Sequence, residues 1–373
     1  MNIGYEAKRV FHNKTGLGNY SRDLVRILAA YYPENHYFLY NPKKSKKTLF
    51  TTNSSVIFEK LPTTPFYKKY YNLWRQKGII TDLEADKIEI FHGLSGEIPS
   101  GLKKKNIKSV VTIHDLIFMR YPHLYSFFDR KIHYFKFKKS AKNADLVIAI
   151  SEQTKADIIT YLKIPAEKIK VIYQGCQDVF KQHYSVEEKQ EVVLKYNLPE
   201  EFVLNVGTIE ERKNALSIVK AIKDIDTKLV LIGKQTAYSD KIKTYIKENN
   251  LEEKVIFLKG LSSKELAITY QLATIFVYPS IFEGFGIPII EALFSKTPVV
   301  STNSGVFPEA GGPNSVYANP ANAEELKFQI EKLLNDENLR NEMANKGFEF
   351  VQKFNDNVIA KKIIAIYKEV KNA

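Results

Sequence analysis

Short runs of β-branched and aromatic residues alternate with amphipathic stretches along the whole chain. In the first half, the apolar runs predict strands at 2–5, 37–40, 56–59, 88–92, 109–114, 146–151 and 169–173. Several stretches between them repeat apolar residues at helical spacing, as Tyr20, Leu24 and Ile27 do. The second half restarts the pattern, with strands predicted at 202–206, 228–232, 255–257, 275–278 and 298–301. Such alternation predicts parallel sheets covered by helices on both faces.

Two strand–helix series in 373 residues predict two domains. We expect an α/β protein with two Rossmann-like domains facing each other across a cleft. The predicted N-terminal domain spans 1–185 and the C-terminal domain spans 186–354. The tail at 355–373 carries apolar residues on one helical face, which predicts a helix that packs back on the first domain.

Charge is distributed unevenly between the two halves. The net charge is +13, yet residues 1–185 hold 31 Lys and Arg against 16 Asp and Glu, whereas residues 186–373 hold 24 against 26. A basic first domain is expected if only that domain faces an anionic partner. Nucleic acid, an anionic membrane and a phosphorylated substrate all fit this charge.

Composition excludes several classes of protein. The apolar runs are far shorter than the roughly 18 residues that a membrane span needs, and the N-terminus lacks the apolar region of a secretory signal. The single cysteine, Cys176, excludes an intramolecular disulfide framework and a multi-cysteine zinc site. No histidines and acidic residues fall at metal-ligand spacing, and no Walker loop, kinase signature or nucleophile elbow is present. We therefore expect a cytoplasmic protein with no metal site.

The strongest chemical signal is the segment PSIFEGFGIPIIEA at 279–292, which follows a predicted strand and enters a helix. Its glycines let the backbone approach a ligand. The start of the helix offers backbone amides to an anion, namely those of Phe285, Gly286 and Ile287. Glu283 and Glu291 could grip hydroxyl groups at the two ends of one extended ligand. The alternative is an ordinary strand–turn–helix in which Glu283 is a loop charge and Glu291 forms a surface pair.

A second segment, GTIEERKN at 207–214, also follows a predicted strand. Arg212 and Lys213 would lie at the C-terminal edge of the sheet, where α/β proteins bind ligands. Two cations there could neutralise a diphosphate leaving group. Solvated loop cations are the alternative.

Two weaker signals come from the first half. Gly16 and Gly18 form a Gly-x-Gly turn before a helix, without the third glycine of a dinucleotide site. These glycines could form a loop that faces phosphate or sugar. The alternative is a plain turn with no ligand. His114, followed by Asp115, ends a predicted strand and could hydrogen-bond a sugar or a catalytic water. A histidine satisfied within the fold is the commoner outcome, and His92 carries the same ambiguity.

Together these motifs resemble the retaining glycosyltransferases of family 4, which have the GT-B fold. The resemblance covers nearly the whole chain and rests first on Glu283 and Glu291, which form an E-x7-E pattern within FEGFGIPIIEAL. Supporting motifs follow in the family's order: TGLGNY at 15–20, TIHD at 112–115, ISEQT at 150–154, VIYQG at 171–175 and GTIEERKN at 207–214.

The resemblance implies transfer of a sugar from a nucleotide diphosphate sugar with retained anomeric configuration and without a divalent metal. Glu283 would contact the donor sugar and Glu291 the nucleotide ribose, while Lys213 with Arg212 would bind the diphosphate. The remaining implied contacts are a pyrophosphate loop at Gly16 and Gly18, a sugar contact at His114, and donor contacts at Gly207, Thr208, Phe285, Gly286 and Ile287.

Two positions depart from the family pattern. Thr208 stands where many members have arginine, which leaves open whether Arg212 or Lys213 is the essential cation. A single Gly233 replaces a Gly-x-Gly loop that many members have after the next strand. We therefore assign no site residue to that loop.

The GTxExRKN form often accompanies GDP-mannose in the family. The resemblance thus favours mannose transfer to a glycan or lipid-linked acceptor, in bacterial surface polysaccharide or lipopolysaccharide synthesis. A UDP-sugar donor, a non-catalytic nucleotide-sugar-binding protein and a nucleotide-sugar epimerase are alternatives. A nucleic-acid-binding protein is disfavoured, because the chain has no recognisable RNA- or DNA-binding signature.

The segment FYKKYYNLWRQK at 66–77 places aromatic residues on one predicted helical face beside several cations. This composition suits a membrane interface, and clustered lysines attract anionic lipid. With the basic runs at 43–47 and 103–105, it predicts peripheral docking on the inner face of the cytoplasmic membrane. The alternative is an aromatic helix that faces the core and has a solvated basic side.

Overall fold

The computed structural model describes residues 1–45 and 49–373, which form two compact units. The first unit comprises Met1–Gln174 with Asp356–Ala373, and the second comprises Gly175–Asn355. The division thus falls at residue 174 rather than at 185. Residues just after it join the second unit because the Phe180 ring packs edge-on against Tyr270, with ring centroids 5.8 Å apart.

The first unit is built on a parallel sheet. Among the described residues it has seven strands in the order β3-β2-β1-β4-β5-β6-β7. The strands are β1 (Asn2–Glu6), β2 (His36–Tyr40), β3 (Ile57–Lys60), β4 (Ile90–Gly93), β5 (Lys108–Ile113), β6 (Leu146–Ala149) and β7 (Ile169–Val171). Its helices up to residue 174 are α1 (Lys8–His12), α2 (Gly16–Tyr31), α3 (Pro65–Lys69), α4 (Tyr71–Leu73), α5 (Ile79–Ala85), α6 (Ile117–Arg120), α7 (Phe127–Asn143) and α8 (Glu152–Asp157).

The second unit has a parallel sheet of its own, with six strands in the order β10-β9-β8-β11-β12-β13. They are β8 (Phe202–Val206), β9 (Lys228–Ile232), β10 (Val255–Leu258), β11 (Ile275–Tyr278), β12 (Val299–Thr302) and β13 (Val316–Ala318). The helices are α9 (Val186–Tyr196), α10 (Ala215–Ala221), α11 (Tyr238–Glu248), α12 (Ser263–Leu272), α13 (Ile287–Phe294), α14 (Phe307–Gly311), α15 (Ala323–Leu334) and α16 (Glu337–Val351).

The predicted α/β class is confirmed, because both sheets are parallel and are buried between helices. Strands β4, β6, β8 and β11 are buried along their whole length, as expected for a sheet covered on both faces. The pattern missed only β13 among the strands of the described residues, because its apolar run is limited to Val316–Ala318 by polar neighbours, whereas the equally short β7 lies in an apolar-rich run that reaches Tyr173.

The last helix, α17 (Asp356–Asn372), belongs to the first unit and packs on α2 and the sheet. Arg26 on α2 forms an ion pair of 2.7 Å with Asp356 at the start of α17. Deeper in the core, the Tyr367 hydroxyl lies 2.7 Å from Nδ1 of His92. The other ring nitrogen of His92 lies 2.7 Å from the Thr112 hydroxyl, and burial lowers the pKa of His92 to about 3. His92 is therefore a neutral histidine that anchors α17.

The aromatic segment at 66–77 is not the single amphipathic helix that its spacing predicts. It is divided among α3, α4 and a π-helical turn at Trp74–Gly78. The indole of Trp74 is buried in the core, and its Nε1 donates to Asp82 Oδ2 at 2.6 Å. Phe66 and Tyr70 are exposed. Each alternative therefore describes part of the segment.

The basic run at 43–47 falls only partly within the structure, because Lys46 and Lys47 lie outside the described residues. In the second run, Lys105 forms an ion pair of 2.9 Å with Glu84, so its charge is partly neutralised within the first unit.

Candidate active site

The strand order of the second unit reverses between β8 and β11, which are neighbours at the centre of the sheet. Loops that follow such strands meet at the C-terminal edge of a parallel sheet and form its ligand crevice. Here they contain the segments 207–214 and 279–286. The backbone joins the two segments directly, since Ile281 N donates to Arg212 O at 2.8 Å. The two strongest motifs of the sequence therefore lie at one site.

Glu283 is the centre of a charged cluster at this site. Its Oε1 accepts a hydrogen bond from Lys213 Nζ and forms an ion pair of 2.9 Å with Arg212. The same oxygen accepts from the hydroxyls of Tyr278 and Ser280, both at 2.9 Å. The carboxylate side chain is only 14% exposed. Glu283 is thus held by two cations and two hydroxyls and is not a solvated loop charge.

The cluster keeps Glu283 ionised. Burial alone would raise the pKa of Glu283, but the neighbouring charges of Lys213 and Arg212 outweigh it and lower the pKa to about 2. Glu283 faces both cations, and Glu210 pairs with Arg212 at 2.7 Å, so two carboxylates balance two cations. Lys213 pairs with Glu283 alone among these carboxylates, and a cation at the end of a parallel sheet suits an anionic ligand.

The two cations have different surroundings. Arg212 is tied to protein groups on several sides: it forms an ion pair of 2.7 Å with Glu210, donates to Phe282 O and pairs with Glu283. Lys213 lies with its Nζ 5.0 Å from the centroid of the Tyr278 ring. Its side chain also passes Gly207, where a Cβ would lie 3.7 Å from Lys213 Cε. Lys213 is therefore the cation beside Gly207, which lines the cavity described next.

A cavity of about 660 Å³ opens at the C-terminal ends of β8, β9 and β10. It is lined by Val206, Gly207, Thr208, Ile232, Gly233, Lys234, Gln235, Lys259, Gly260, Leu261 and Leu266. Gly207 and Thr208 were predicted as donor contacts and lie here. The loops after β9 and β10 were not predicted, and Gly233 was the signal that could have found them. It has a φ of +158°, and a Cβ there would lie 1.8 Å from Gly207 O, so only glycine permits this approach of the two loops.

The start of α13 presents its backbone to the same edge of the sheet. Gly286 has a φ of +110° and precedes the first turn, which contains Pro288. The side chain of Phe285 is buried against Phe354, with ring centroids 5.3 Å apart. Phe285 can therefore meet a ligand only through its backbone. Amides at the start of this eight-residue helix suit an anion.

Glu291 lies on α13 and makes a contact that the sequence did not predict. Its Oε2 accepts a hydrogen bond of 3.1 Å from the Tyr270 hydroxyl on α12. Burial raises the pKa of Glu291 to about 7, against a smaller lowering effect of the Tyr270 hydrogen bond. Glu291 is thus a partly buried carboxyl group that titrates near neutral pH, unlike the surface ion pair considered from the sequence.

In the first unit, His114 is satisfied within the fold. Its Nε2 lies 2.9 Å from Leu94 O, and its Nδ1 lies 3.0 Å from Nε2 of Gln174. Burial lowers the pKa of His114 to about 4, so the ring is neutral at pH 7. In addition, the Thr154 hydroxyl of the ISEQT motif donates to the carbonyl of His114 at 3.1 Å. Both ring nitrogens have protein partners, so the geometry does not favour His114 as an acid or base.

The glycines at 16 and 18 lie in the first turn of α2 and not in a loop before it. A Cβ at Gly18 would lie 2.0 Å from Asn13 O, so packing against the preceding turn explains this glycine. A Cβ at Gly16 would meet no atom within 4 Å. Of the two, only Gly16 leaves open space beside its backbone.

Residues 1–45 and 49–373 contain neither a cluster of metal ligands nor a membrane-spanning helix. No group of three or more His, Cys, Asp or Glu side chains there could hold a metal ion. No helix there is long and apolar enough to cross a bilayer.

The chain is similar to known proteins over both units. The family model "Glycosyltransferase Family 4" matches residues 15–178, and "Glycosyl transferases group 1" matches residues 186–350. O-antigen chain mannosyltransferase B of Escherichia coli is 25% identical over 99% of this chain and 100% of its own length. O-antigen chain mannosyltransferase RfbU of Salmonella typhimurium is 32% identical over 60% of each chain.

Solved structures share the fold. Sucrose-phosphate synthase of Thermosynechococcus elongatus superposes with a TM-score of 0.81 over 99% of both chains at 23% identity. Anabaena HepE in complex with UDP gives a TM-score of 0.78 over 99% of both chains at 17% identity. Two family models that each match one unit, and neighbours that match the whole fold, lead to one conclusion: the chain belongs to the family 4 glycosyltransferases and has the GT-B fold.

Proposed function

We propose that this glycosyltransferase takes mannose from GDP-mannose, with retention of configuration and without a metal ion, and transfers it to a glycan or lipid-linked acceptor. The observation that carries the proposal is the cluster of Lys213, Arg212 and Glu283, in which the Lys213 side chain passes Gly207 at the wall of a cavity of about 660 Å³. Two relatives named as O-antigen chain mannosyltransferases support the sugar and a role in lipopolysaccharide O-antigen synthesis.

In this proposal the nucleoside occupies the cavity, and the diphosphate lies between Lys213 and the amides at the start of α13. As the bond between the anomeric carbon and the diphosphate breaks, negative charge grows on the leaving phosphate. A preorganised cation stabilises that charge most where water is excluded. Glu283 then grips hydroxyls of the sugar, and Glu291 grips those of the ribose.

The state of Glu283 argues against a covalent glycosyl intermediate on this side chain as the route to retention. With a pKa of about 2 and four donors on one oxygen, Glu283 is a weak base and a weak nucleophile at neutral pH. We therefore assign deprotonation of the acceptor to the leaving phosphate. The acceptor oxygen attacks on the face from which the diphosphate departs, and its proton passes to a phosphate oxygen.

Metal independence is supported by the same cluster. In metal-dependent enzymes a bound cation neutralises the charge that develops on phosphate. Lys213 and Arg212 supply two positive charges at this position, so we expect full turnover in the presence of EDTA.

A UDP-linked sugar is the second candidate donor, because Anabaena HepE was solved with UDP and shares the fold. Both donors place a nucleoside diphosphate in the same site. The nucleobase pocket and the sugar contacts would then differ.

The anomer of the released sugar tests the mechanism. With GDP-α-mannose as donor and water as acceptor, ¹H NMR spectra recorded before mutarotation should show α-mannose first. Initial β-mannose would contradict retention. Thermal stabilisation by GDP-mannose without release of sugar, even with bacterial membranes added as acceptor, would identify a non-catalytic binding protein instead.

The pKa of Glu291 predicts a pH-dependent affinity for nucleotide. Only the ionised carboxylate accepts hydrogen bonds from both ribose hydroxyls, and the group is ionised above a pKa of about 7. We expect GDP to bind about tenfold more weakly at pH 6 than at pH 8. Isothermal titration should show that Glu291→Gln removes this dependence, and that 2′,3′-dideoxy-GDP does not show it. The same tenfold loss in the variant would contradict the role of Glu291.

Glu291 also affects stability in a defined direction. Because its pKa is raised from 4.5 to about 7 on folding, the folded state binds a proton that the unfolded state has lost. The stabilisation is present below pH 4.5 and disappears as the pH rises through 7. In thermal denaturation without ligand, the melting temperature of Glu291→Gln should therefore rise relative to that of wild type between pH 5 and pH 8.

A further inference from the structure

Helix α7 in the first unit has a face of large apolar side chains that the unit leaves uncovered. The exposed fractions are 62% for Phe127, 77% for Phe128, 52% for Ile132 and 63% for Phe135. At 100° per residue these positions fall within one arc of the helix. The opposite arc faces the core, where Ser140 and Ala141 are buried. Helix α7 is thus anchored on one side and apolar towards solvent on the other.

The same outer arc is rich in cations. From residue 126 to residue 143 the chain has six Lys and Arg and one Asp. Lys131, Lys139 and Lys142 lie at helical positions among the exposed aromatics, and Lys131 Nζ is 5.3 Å from the centroid of the Phe127 ring. The apolar groups therefore lie within a positive surface.

We propose that the outer face of α7 docks on an anionic lipid bilayer. Phenylalanine and isoleucine side chains enter the boundary between headgroups and acyl chains, while lysines beside them contact lipid phosphates. A polyanion without an apolar phase would satisfy the lysines but not Ile132 or the protruding Phe128. An anionic bilayer offers both phosphates for the lysines and an apolar phase for the phenylalanine and isoleucine side chains, so we take a bilayer as the partner.

The exposed part of the aromatic segment at 66–77 extends this surface. Glu97 links the two elements, because one carboxylate oxygen lies 3.4 Å from Lys136 on α7 and the other lies 3.8 Å from Arg75. Phe66 and Tyr70 are exposed on the second element. The proposed docking surface is therefore centred on α7, which the sequence did not predict, and the predicted segment 66–77 lies at its flank.

Only the reason for docking rests on the proposed function: docking would bring the active site to a lipid-linked acceptor. Binding to vesicles needs neither donor nor acceptor, so it can fail while donor turnover succeeds, and the reverse. Donor hydrolysis without vesicles should be unchanged in α7 variants, which shows that their second unit is intact.

The test is flotation of the full chain with phosphatidylcholine vesicles that contain 30% phosphatidylglycerol, compared with pure phosphatidylcholine. We expect binding to the anionic vesicles at 50 mM NaCl and a large loss at 500 mM, since salt screens the lysines. Phe128→Ser with Phe135→Ser should lower the partition coefficient at least tenfold. Lys131→Glu with Lys139→Glu should do the same at 50 mM NaCl.

Matched variants on the second unit control for general surface changes. Phe328→Ser removes a phenylalanine that is also 62% exposed, and Lys243→Glu with Lys247→Glu changes the net charge by the same amount. Both should bind vesicles within twofold of wild type. Failure of wild type to bind anionic vesicles, or an equal loss in the controls, would overturn the proposal. A dimer that sedimentation velocity shows to be lost in Phe128→Ser with Phe135→Ser, without vesicle binding, would instead assign this face to a second copy of the chain.

Discussion

Replacing Glu283 with glutamine should lower donor turnover about a thousandfold while GDP binds as tightly as before or more tightly. The amide keeps the size of the side chain but removes the charge that pairs with Lys213 and Arg212. Removal of one preorganised polar contact to a transition state typically costs 10²–10³ in rate, and here the sugar contact and the orientation of two cations change together. Binding should not weaken, because the cluster becomes more positive towards a diphosphate.

Glu210→Gln is the matched control for Glu283→Gln. Glu210 also pairs with Arg212, at 2.7 Å, but its side chain is 37% exposed. Its hydrogen bond with Lys213 joins backbone atoms, Lys213 N to Glu210 O at 3.0 Å, and the substitution leaves those atoms unchanged. Its neutralisation should change turnover less than about threefold. Steady-state GDP release and isothermal titration with GDP measure the two quantities. Equal losses in the two variants, or lost GDP affinity in Glu283→Gln, would contradict a specific role for Glu283.

Lys213→Gln should reduce the turnover number about 10²–10³-fold with a small change in melting temperature. For Arg212→Gln we expect the melting temperature to change more and the turnover number to change less. Arg212 holds Glu210, Phe282 O and Glu283 together, so its loss removes three contacts, whereas the amide of Lys213→Gln can still donate a hydrogen bond to Glu283 or Tyr278. We therefore expect its melting temperature to fall by roughly 5–10 °C, with a smaller loss of turnover than in Lys213→Gln.

Turnover numbers at saturating donor and thermal denaturation of both variants test this separation. The sequence alone leaves the two cations equivalent, because they are adjacent in one motif. The structure separates them, since only Lys213 passes Gly207 beside the cavity. A larger loss of turnover in Arg212→Gln than in Lys213→Gln would assign the diphosphate to Arg212.

The sequence predicts the fold well because buried parallel strands are recorded in short continuous apolar runs. Strands β8, β9 and β11 have the predicted bounds, and each is buried nearly throughout. The edge strand β13 was missed because polar residues flank its short apolar run on both sides. Glu283, Lys213 and Arg212 could be found because they follow strands that end at the same edge of the sheet.

What the sequence could not predict depends on contacts between distant residues. The sequence did not identify Tyr278 and Ser280 as partners of Glu283, because which carboxylate a hydroxyl contacts depends on how the chain folds around it. Helical spacing placed Trp74 on an aromatic face that could meet a membrane or pack in the core, and the structure shows it buried and hydrogen-bonded to Asp82. The exposed face of α7 was also missed. Its lysines alternate with its aromatic residues, so the sequence does not separate a buried face of the helix from an exposed one.

The most direct test of the central claim is release of nucleotide diphosphate from a panel of GDP-mannose, UDP-glucose, UDP-galactose and UDP-N-acetylglucosamine in the presence of EDTA. The proposal predicts GDP release from GDP-mannose, faster than release from any UDP-sugar, unchanged by EDTA and lost in Glu283→Gln. Release from a UDP-sugar alone, or activity that EDTA abolishes and a divalent metal restores, would contradict it.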